Sequence, residues 1–121
     1  MSEGSYEVLF YRSPRGECVA EEFLNGLPAN VRGKVLRWIG ALETHGPTLS
    51  RPYADVVRGK IRELSIVFSS NQYRLLYFFA GKQIMITHGF LKKTGPVPVQ
   101  ELERAERLMR EWEHRVSGVE P

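Results

Sequence analysis

Two adjacent lysines, Lys92 and Lys93, follow an apolar run in the stretch HGFLKKTGPVP, His88 to Pro98. They belong to a wider concentration of positive charge. Between Arg51 and Lys93 the basic residues are Arg51, Arg58, Lys60, Arg62, Arg74, Lys82, Lys92 and Lys93, against only Asp55 and Glu63. That segment carries a net +6 and the remainder −3. Such a segment suits a polyanion, and it also suits a solvated basic surface. Cations with aromatic neighbours are nearly all that metal-free cleavage of RNA requires. The ribose 2′-OH is the nucleophile, so the substrate supplies it. The protein must orient it, neutralise charge on the phosphorane-like transition state and move protons. Arginine and lysine stabilise the charge, aromatic rings stack splayed bases, and a lysine crowded by other cations can exchange a proton.

Other chemistries lack their residues. There is no phosphate-cradling glycine loop and no dinucleotide fingerprint. One cysteine, Cys18, and three scattered histidines, His45, His88 and His114, give no metal-ligand spacing. Nothing places Asp55 and Glu63 in one site, which argues against a two-metal nuclease or a paired-carboxylate glycosidase. No cofactor and no metal site is expected. The single cysteine excludes an intramolecular disulfide and fits a reducing compartment. The N-terminus does not read as a secretory signal, and no apolar stretch reaches the roughly 20 residues that span a bilayer. A cytoplasmic protein away from membranes is expected.

The elements that must position these residues can be read from periodicity. A length of 121 residues suggests one domain, with a core over about 6–115 and a frayed tail over 116–121. YEVLFY, Tyr6 to Tyr11, reads as a strand. Ser13 with Pro14 resembles a helix cap and first helical position. A short helix through CVAEEFLNGL would bury Val19, Phe23, Leu24 and Leu27. A second helix carries Val31, Val35, Trp38, Ile39 and Leu42 on one stripe and stops at Gly46 and Pro47. GPTLSRPYADVVRG reads as a surface loop. KIRELSIVF, YRLLYFFA and QIMITHGF read as an antiparallel meander, with YRLLYFF central and covered on both faces. The first strand joins it at an edge or beside the last strand. Pro96 and Pro98 precede a final helix. Val99, Leu102, Ala105, Leu108, Met109 and Trp112 form its apolar face; Glu101, Arg104, Arg107 and Glu111 point away. The order β-α-α-β-β-β-α predicts an α+β fold with an antiparallel four-stranded sheet.

Gly59 to Trp112 resembles the phage-derived HigB-like branch of the RelE/ParE toxin superfamily. The resemblance rests on GKIRELS, YRLLYFF, HGFLKKT and PVQELERA, four motifs in order at suitable spacings. Upstream, FLNGLPANVRGKVLRWIGALETHG looks like the family's helical hairpin. The likeness covers about Tyr6 to Arg115. It implies a RelE-like microbial RNase fold and the toxin of a type II toxin–antitoxin system. It further implies metal-independent cleavage of mRNA in the ribosomal A site. The implied partners are a helix-turn-helix, HigA-like antitoxin, the ribosome with its mRNA, and operator DNA only through the antitoxin complex. By residue, Arg74 matches the arginine of the Y-R motif and is expected to stabilise transition-state charge. Lys92 and Lys93 match the K-K pair and are expected in the catalytic set with Arg74, and Phe90 precedes them as a base-stacking aromatic. Lys60 and Arg62 occupy the family's basic strand positions, with Arg62 in the catalytic set. Lys60, Phe90, His88 and Arg58 are expected to contact RNA. One departure stands out: the family's E-L-R is E-L-S here, with Ser65 in place of an arginine. Two alternatives remain: a ParE-like toxin acting on DNA gyrase without enzymatic activity, or a catalytically weak antitoxin-binding module.

Alternation along strands sharpens these assignments. Lys60 and Arg62 share parity with Leu64, Ile66 and Phe68. His88 shares parity with Phe90 and with Ile84 and Ile86, and can be a proton carrier or a hydrogen-bonded sheet histidine. Arg74 opens a central strand among apolar neighbours; pairing with Glu63 is the structural alternative to catalysis. In an extended strand Lys92 and Lys93 point to opposite faces, Lys92 with His88 and Phe90. A kink after Gly89 would reverse this or make both available to one face. Trp38 and Trp112 are expected in the core.

Overall fold

A computed structural model describes residues 6–92 and 95–118. Its elements are β1 (Glu7–Phe10), α1 (Val19–Asn25), α2 (Ala29–His45), β2 (Ala54–Arg58), β3 (Ile61–Phe68), β4 (Asn71–Ala80), β5 (Gln83–Lys92) and α3 (Val99–Ser117), with a 3₁₀ turn at Gly46–Thr48 after α2. The strands form one mixed sheet in the order β1-β5-β4-β3-β2. β1 runs parallel to β5, and the other pairs are antiparallel. The first strand therefore lies both at an edge and beside the last strand.

The sheet has five strands, where the sequence pattern suggested four. The additional strand, β2, lies in the stretch read as a loop. It is an edge strand with Val56 half exposed, so it shows no alternating apolar pattern. A two-residue turn, Gly59 and Lys60, brings it against β3, and Gly59 takes φ +54 there. The start of α1 also differs. Ser13 Oγ accepts the N–H groups of Arg15 and Glu17, capping a turn, and the helix begins after Cys18.

Alternation on the strands builds a core on each face. Leu64, Ile66, Tyr73, Leu75, Tyr77, Ile84 and Ile86 meet α1 and α2 through Leu24, Val31, Val35, Ile39 and Leu42. On the other face Ile61, Leu76, Phe78 and Met85 meet Leu102 and Ala105 of α3. β4 is the middle strand, buried from Tyr73 through Phe78. Trp38 and Trp112 flank these cores, half-buried. Val99, assigned to the apolar face of α3, is exposed at the helix start.

Local irregularities set the geometry. Gly46 ends α2 at φ +55 with Tyr6 against its Cα, so a Cβ would fall 2.5 Å from the Tyr6 ring. In β5 the register slips between Leu76 and Tyr77 of β4: Tyr77 faces Ile86 and Leu76 faces His88. Thr87 is the extra residue of a β-bulge, and such an insertion changes which face later residues point to.

Candidate functional site

The bulge at Thr87 carries the site. Ile84 and Ile86 point toward α1 and α2, as their place in that core shows. Beyond the bulge the parity is reversed. Phe90 joins the core under α3, and Gly89 faces the other way, against Phe23 and Leu75. His88, Phe90 and Lys92 thus share the α3 face, opposite Leu76, Arg74 and Gln72 respectively. The shared parity of His88 with Ile84 and Ile86 is corrected by this one inserted residue. The mutual parity of His88, Phe90 and Lys92 holds.

On that face an open groove of about 550 Å³ lies between the sheet and the segment leading into α3. Arg74 and Gln72 of β4, Glu63 and Ser65 of β3, Asp55 of β2 and Arg51 line it, with Gly95, Pro96 and Leu102 along the α3 side. Ser65 sits directly across from Arg74 in the register. The Arg74 side chain is only 5% exposed. Its Nη2 donates to Gln72 Oε1 at 2.5 Å. Its Nε stands 3.2 Å from Glu63 Oε2, an ion pair without an aligned hydrogen bond among the described residues. Burial pushes the Glu63 carboxyl above the usual carboxylate range; the attraction of Arg74 opposes this and the nearby Asp55 charge reinforces it. Desolvation outweighs the attraction of Arg74.

The other expected residues divide sharply. Lys92 stands opposite Gln72 on the same face, with its Cε 3.8 Å from the Cβ position of Gly95 on the groove wall. Phe90 is across from Arg74 but packed under α3 beside His88, their rings 6.1 Å apart. His88 is 1% exposed. Its Nε2 lies 2.8 Å from Glu101 Oε1 and its Nδ1 3.1 Å from Thr87 Oγ1. Burial lowers its pKa; the Glu101 hydrogen bond opposes this, and Arg104 and Arg107 add to the lowering. His88 is therefore the hydrogen-bonded sheet histidine, anchoring the first turn of α3. Glu101 accordingly faces the sheet, as does Glu111, which accepts from the Tyr11 hydroxyl at 2.9 Å. Both were expected to point away from it.

Three cations are not gathered here. Arg62 points to the opposite face, where its guanidinium lies 5.2 Å over the Phe79 ring. There it acts on Tyr77, whose hydroxyl burial pushes up to about 12 against the pull of Arg62. Arg58 pairs with Glu106 at 3.1 Å and Lys60 with Glu113 at 3.7 Å, both on α3. Lys60 lies five residues from Ser65, about 16 Å along an extended strand. Lys93 lies outside the described residues. Sequence reasoning missed Gln72, Arg51 and Asp55 as groove residues and treated Glu63 only as a structural partner. Parity was the available signal, since Glu63, Ser65, Gln72 and Arg74 alternate with core residues on paired strands.

Among the described residues no group of three or more His, Cys, Asp or Glu is arranged to hold a metal ion, and no helix is long and apolar enough to cross a membrane. No curated protein matches the chain. A family model, described as phage-derived protein Gp49-like (DUF891), matches residues 22–110. That span runs from α1 into α3 and contains every groove residue named above. By this match, across most of its length, the chain belongs to the phage-derived Gp49-like family.

Proposed function

We propose that this protein is the toxin of a type II toxin–antitoxin system, an endoribonuclease that inhibits translation by cutting mRNA on the ribosome. One observation carries the reading: the Glu63 carboxyl stands 3.2 Å from the Arg74 guanidinium in an open groove. Membership of a phage-derived family and the four toxin-like motifs between Gly59 and Trp112 support it.

The arrangement suits transesterification of RNA. Ionised Glu63 takes the proton of the ribose 2′-OH as that oxygen attacks the adjacent phosphorus. Arg74 neutralises charge on the phosphorane. The bond from phosphorus to the 5′-oxygen breaks, and that oxygen takes up a proton from Lys92 or from water. The products are a 2′,3′-cyclic phosphate and a 5′-OH. The nucleophile belongs to the substrate, so the protein supplies only orientation, charge and proton transfer. A helix-turn-helix antitoxin that covers the groove would silence it, and operator DNA would be bound through that complex.

The test is translation of a defined mRNA by purified ribosomes, with cleavage mapped by primer extension. Wild type should cut at codons in the A site. Arg74→Ala should lose about 10²–10³ in rate, and Glu63→Gln about 10²–10⁴. Absence of cleavage by wild type, with Arg74→Ala as growth-inhibiting as wild type, overturns the nuclease reading.

A second reading is favoured by the same groove. Arg51 pairs with Asp55 and Arg74 with Glu63, and Ser65 fills the position where the resembled toxins carry another cation. A groove so neutralised suits an antitoxin-binding module of weak activity. Normal growth on expression without an antitoxin would favour that module. Supercoiling defects on expression would favour action on gyrase.

A further inference from the structure

A second, smaller cavity adjoins the groove at the β3 edge. It measures about 160 Å³ and is lined by Lys34, Trp38, Pro52, Tyr53, Ser65, Ile66 and Val67. Pro52, Ser65 and Val67 line the groove as well, so the two spaces share a wall. Its volume is close to the roughly 150 Å³ that accommodates one benzene-sized ring. Tyr53 and Trp38 are stacked within it, centroids 4.4 Å apart and planes 23° apart. Tyr53 is nonetheless 43% exposed, so part of its ring is open to solvent.

Three features make this space suited to an unpaired nucleobase. The aromatic stack offers a ring face, and base–aromatic stacking is tolerant of base identity. The charge near it is positive: Lys34 Nζ is held at 2.6 Å from Val67 O and 5.7 Å from the Phe68 ring centre. Arg37 lies one turn along the same helix. The position is right too. Ser65 N–H donates to Tyr53 O at 2.8 Å, and Ser65 is the register partner of Arg74. The backbones of Tyr53, Ser65 and Arg74 therefore lie on successive chain segments, Tyr53 about 10 Å from Arg74 at two strand spacings, with the Tyr53 ring turned around the β3 edge onto Trp38 of α2. That is within reach of a nucleotide neighbouring the one at Arg74.

We propose that Tyr53, backed by Trp38 and flanked by Lys34, is a subsite that stacks an unpaired base of single-stranded RNA next to the Arg74 groove. The proposal deepens the nuclease reading and rests on it for the identity of the ligand.

The test is binding of a fluorescein-labelled 2′-O-methyl hexaribonucleotide to the full chain, followed by anisotropy. Its capped 2′ oxygen cannot attack, so binding is read without cleavage. Tyr53→Ala should bind roughly tenfold more weakly, and Tyr53→Phe within about twofold of wild type. Thermal melts accompany each variant; Tyr53 is exposed enough for both to fold. In a Trp112→Phe background Trp38 is the sole tryptophan, and its emission should change on RNA addition and lose that response with Tyr53→Ala. Tyr53→Ala binding as wild type does, while Arg74→Ala weakens binding, overturns the subsite and leaves the nuclease reading standing. Equal losses for Tyr53→Ala and Tyr53→Phe overturn stacking, since only the hydroxyl would then matter. No binding by wild type overturns the subsite, and the ribosome assay decides the nuclease reading independently.

Discussion

Arg74 is the residue on which structure and chemistry compete. A guanidinium this buried is tolerated only with partners, and Glu63 and Gln72 provide them. Removing the Glu63 side chain leaves the cation uncompensated, so Glu63→Ala should cost about 3 kcal/mol in urea unfolding, the low end for a buried pair because the groove admits water. An activity loss in that variant must therefore be measured well below its melting temperature. His88 makes a separate statement about pH. Its folded pKa lies below the ordinary value of 6.5, so the unfolded chain binds the proton more readily. Its contribution to stability is present above pH 6.5 and is lost as pH falls through the depressed folded value. Glu63 runs the other way: its raised pKa makes stability fall as pH climbs above 4.5. The two windows overlap, so the informative quantity is a difference. Unfolding midpoints of wild type should drop between pH 7.5 and pH 5 more steeply than those of His88→Gln. Equal slopes would show that His88 does not govern this window.

At the scale of elements the bulge in β5 decides what the sheet can present. Without Thr87 as an extra residue, His88, Phe90 and Lys92 would point toward α1 and α2, and Lys92 could not reach the groove holding Arg74. Gly89 makes the reversed half of β5 possible, because a Cβ there would fall 2.5 Å from the Phe23 ring of α1 and 2.7 Å from Leu75 Cδ2. Gly89→Ala should destabilise by about 1–3 kcal/mol by overpacking, and Phe23→Leu in the same chain should recover part of that. Denaturant titrations of the two single variants and the double variant measure it. On each edge strand one N–H is taken by a carboxylate: Val8 N–H of β1 donates to Glu43 Oε2 at 3.1 Å, and Val56 N–H of β2 to Asp55 Oδ1 at 2.9 Å. The long helices and the three meander strands were legible because their apolar residues repeat at helical or strand period. β2 was not, since an edge strand that buries little has no period to read. The bulge was not, because one inserted residue leaves composition and spacing unchanged and alters only register. Arg74 was legible as a charge among apolar neighbours. Arg62 was misplaced because its role came from the resemblance, although its parity with Leu64 and Ile66 already set it on the α1/α2 face, and Arg58 and Lys60 because their carboxylate partners lie about 50 residues away on α3.

For the whole molecule, the charge asymmetry along the chain does not survive folding. The segment from Arg51 to Lys93 carries +6, yet Arg51, Arg58, Lys60 and Arg74 each meet a carboxylate. Two of those carboxylates, Glu106 and Glu113, come from α3, in the acidic remainder. Arg62 and Lys82 lie over aromatic rings instead, Arg62 over Phe79 and Lys82 4.7 Å from the Tyr6 centre. Around the groove and its adjoining cavity, Lys92 and Lys34 have no carboxylate partner among the described residues, and Arg74 opens onto the groove already paired. RNA bound there should therefore displace few counterions. With about three phosphates neutralised at roughly 0.7 each, the logarithm of affinity should fall with the logarithm of salt at a slope near −2. Anisotropy titrations of the 2′-O-methyl hexanucleotide between 50 and 300 mM salt, on the order of the range over which such slopes are read, measure it. A slope steeper than about −4 would mean that α3 releases Arg58 and Lys60 to the RNA. Those exposed pairs are weak enough for a polyanion to compete for them. The alternative has its own signature. Glu106→Gln with Glu113→Gln would free both cations in advance, raising affinity at low salt and steepening the slope of a protein that otherwise keeps them paired. If the double variant leaves both unchanged, Arg58 and Lys60 lie beyond the RNA's path.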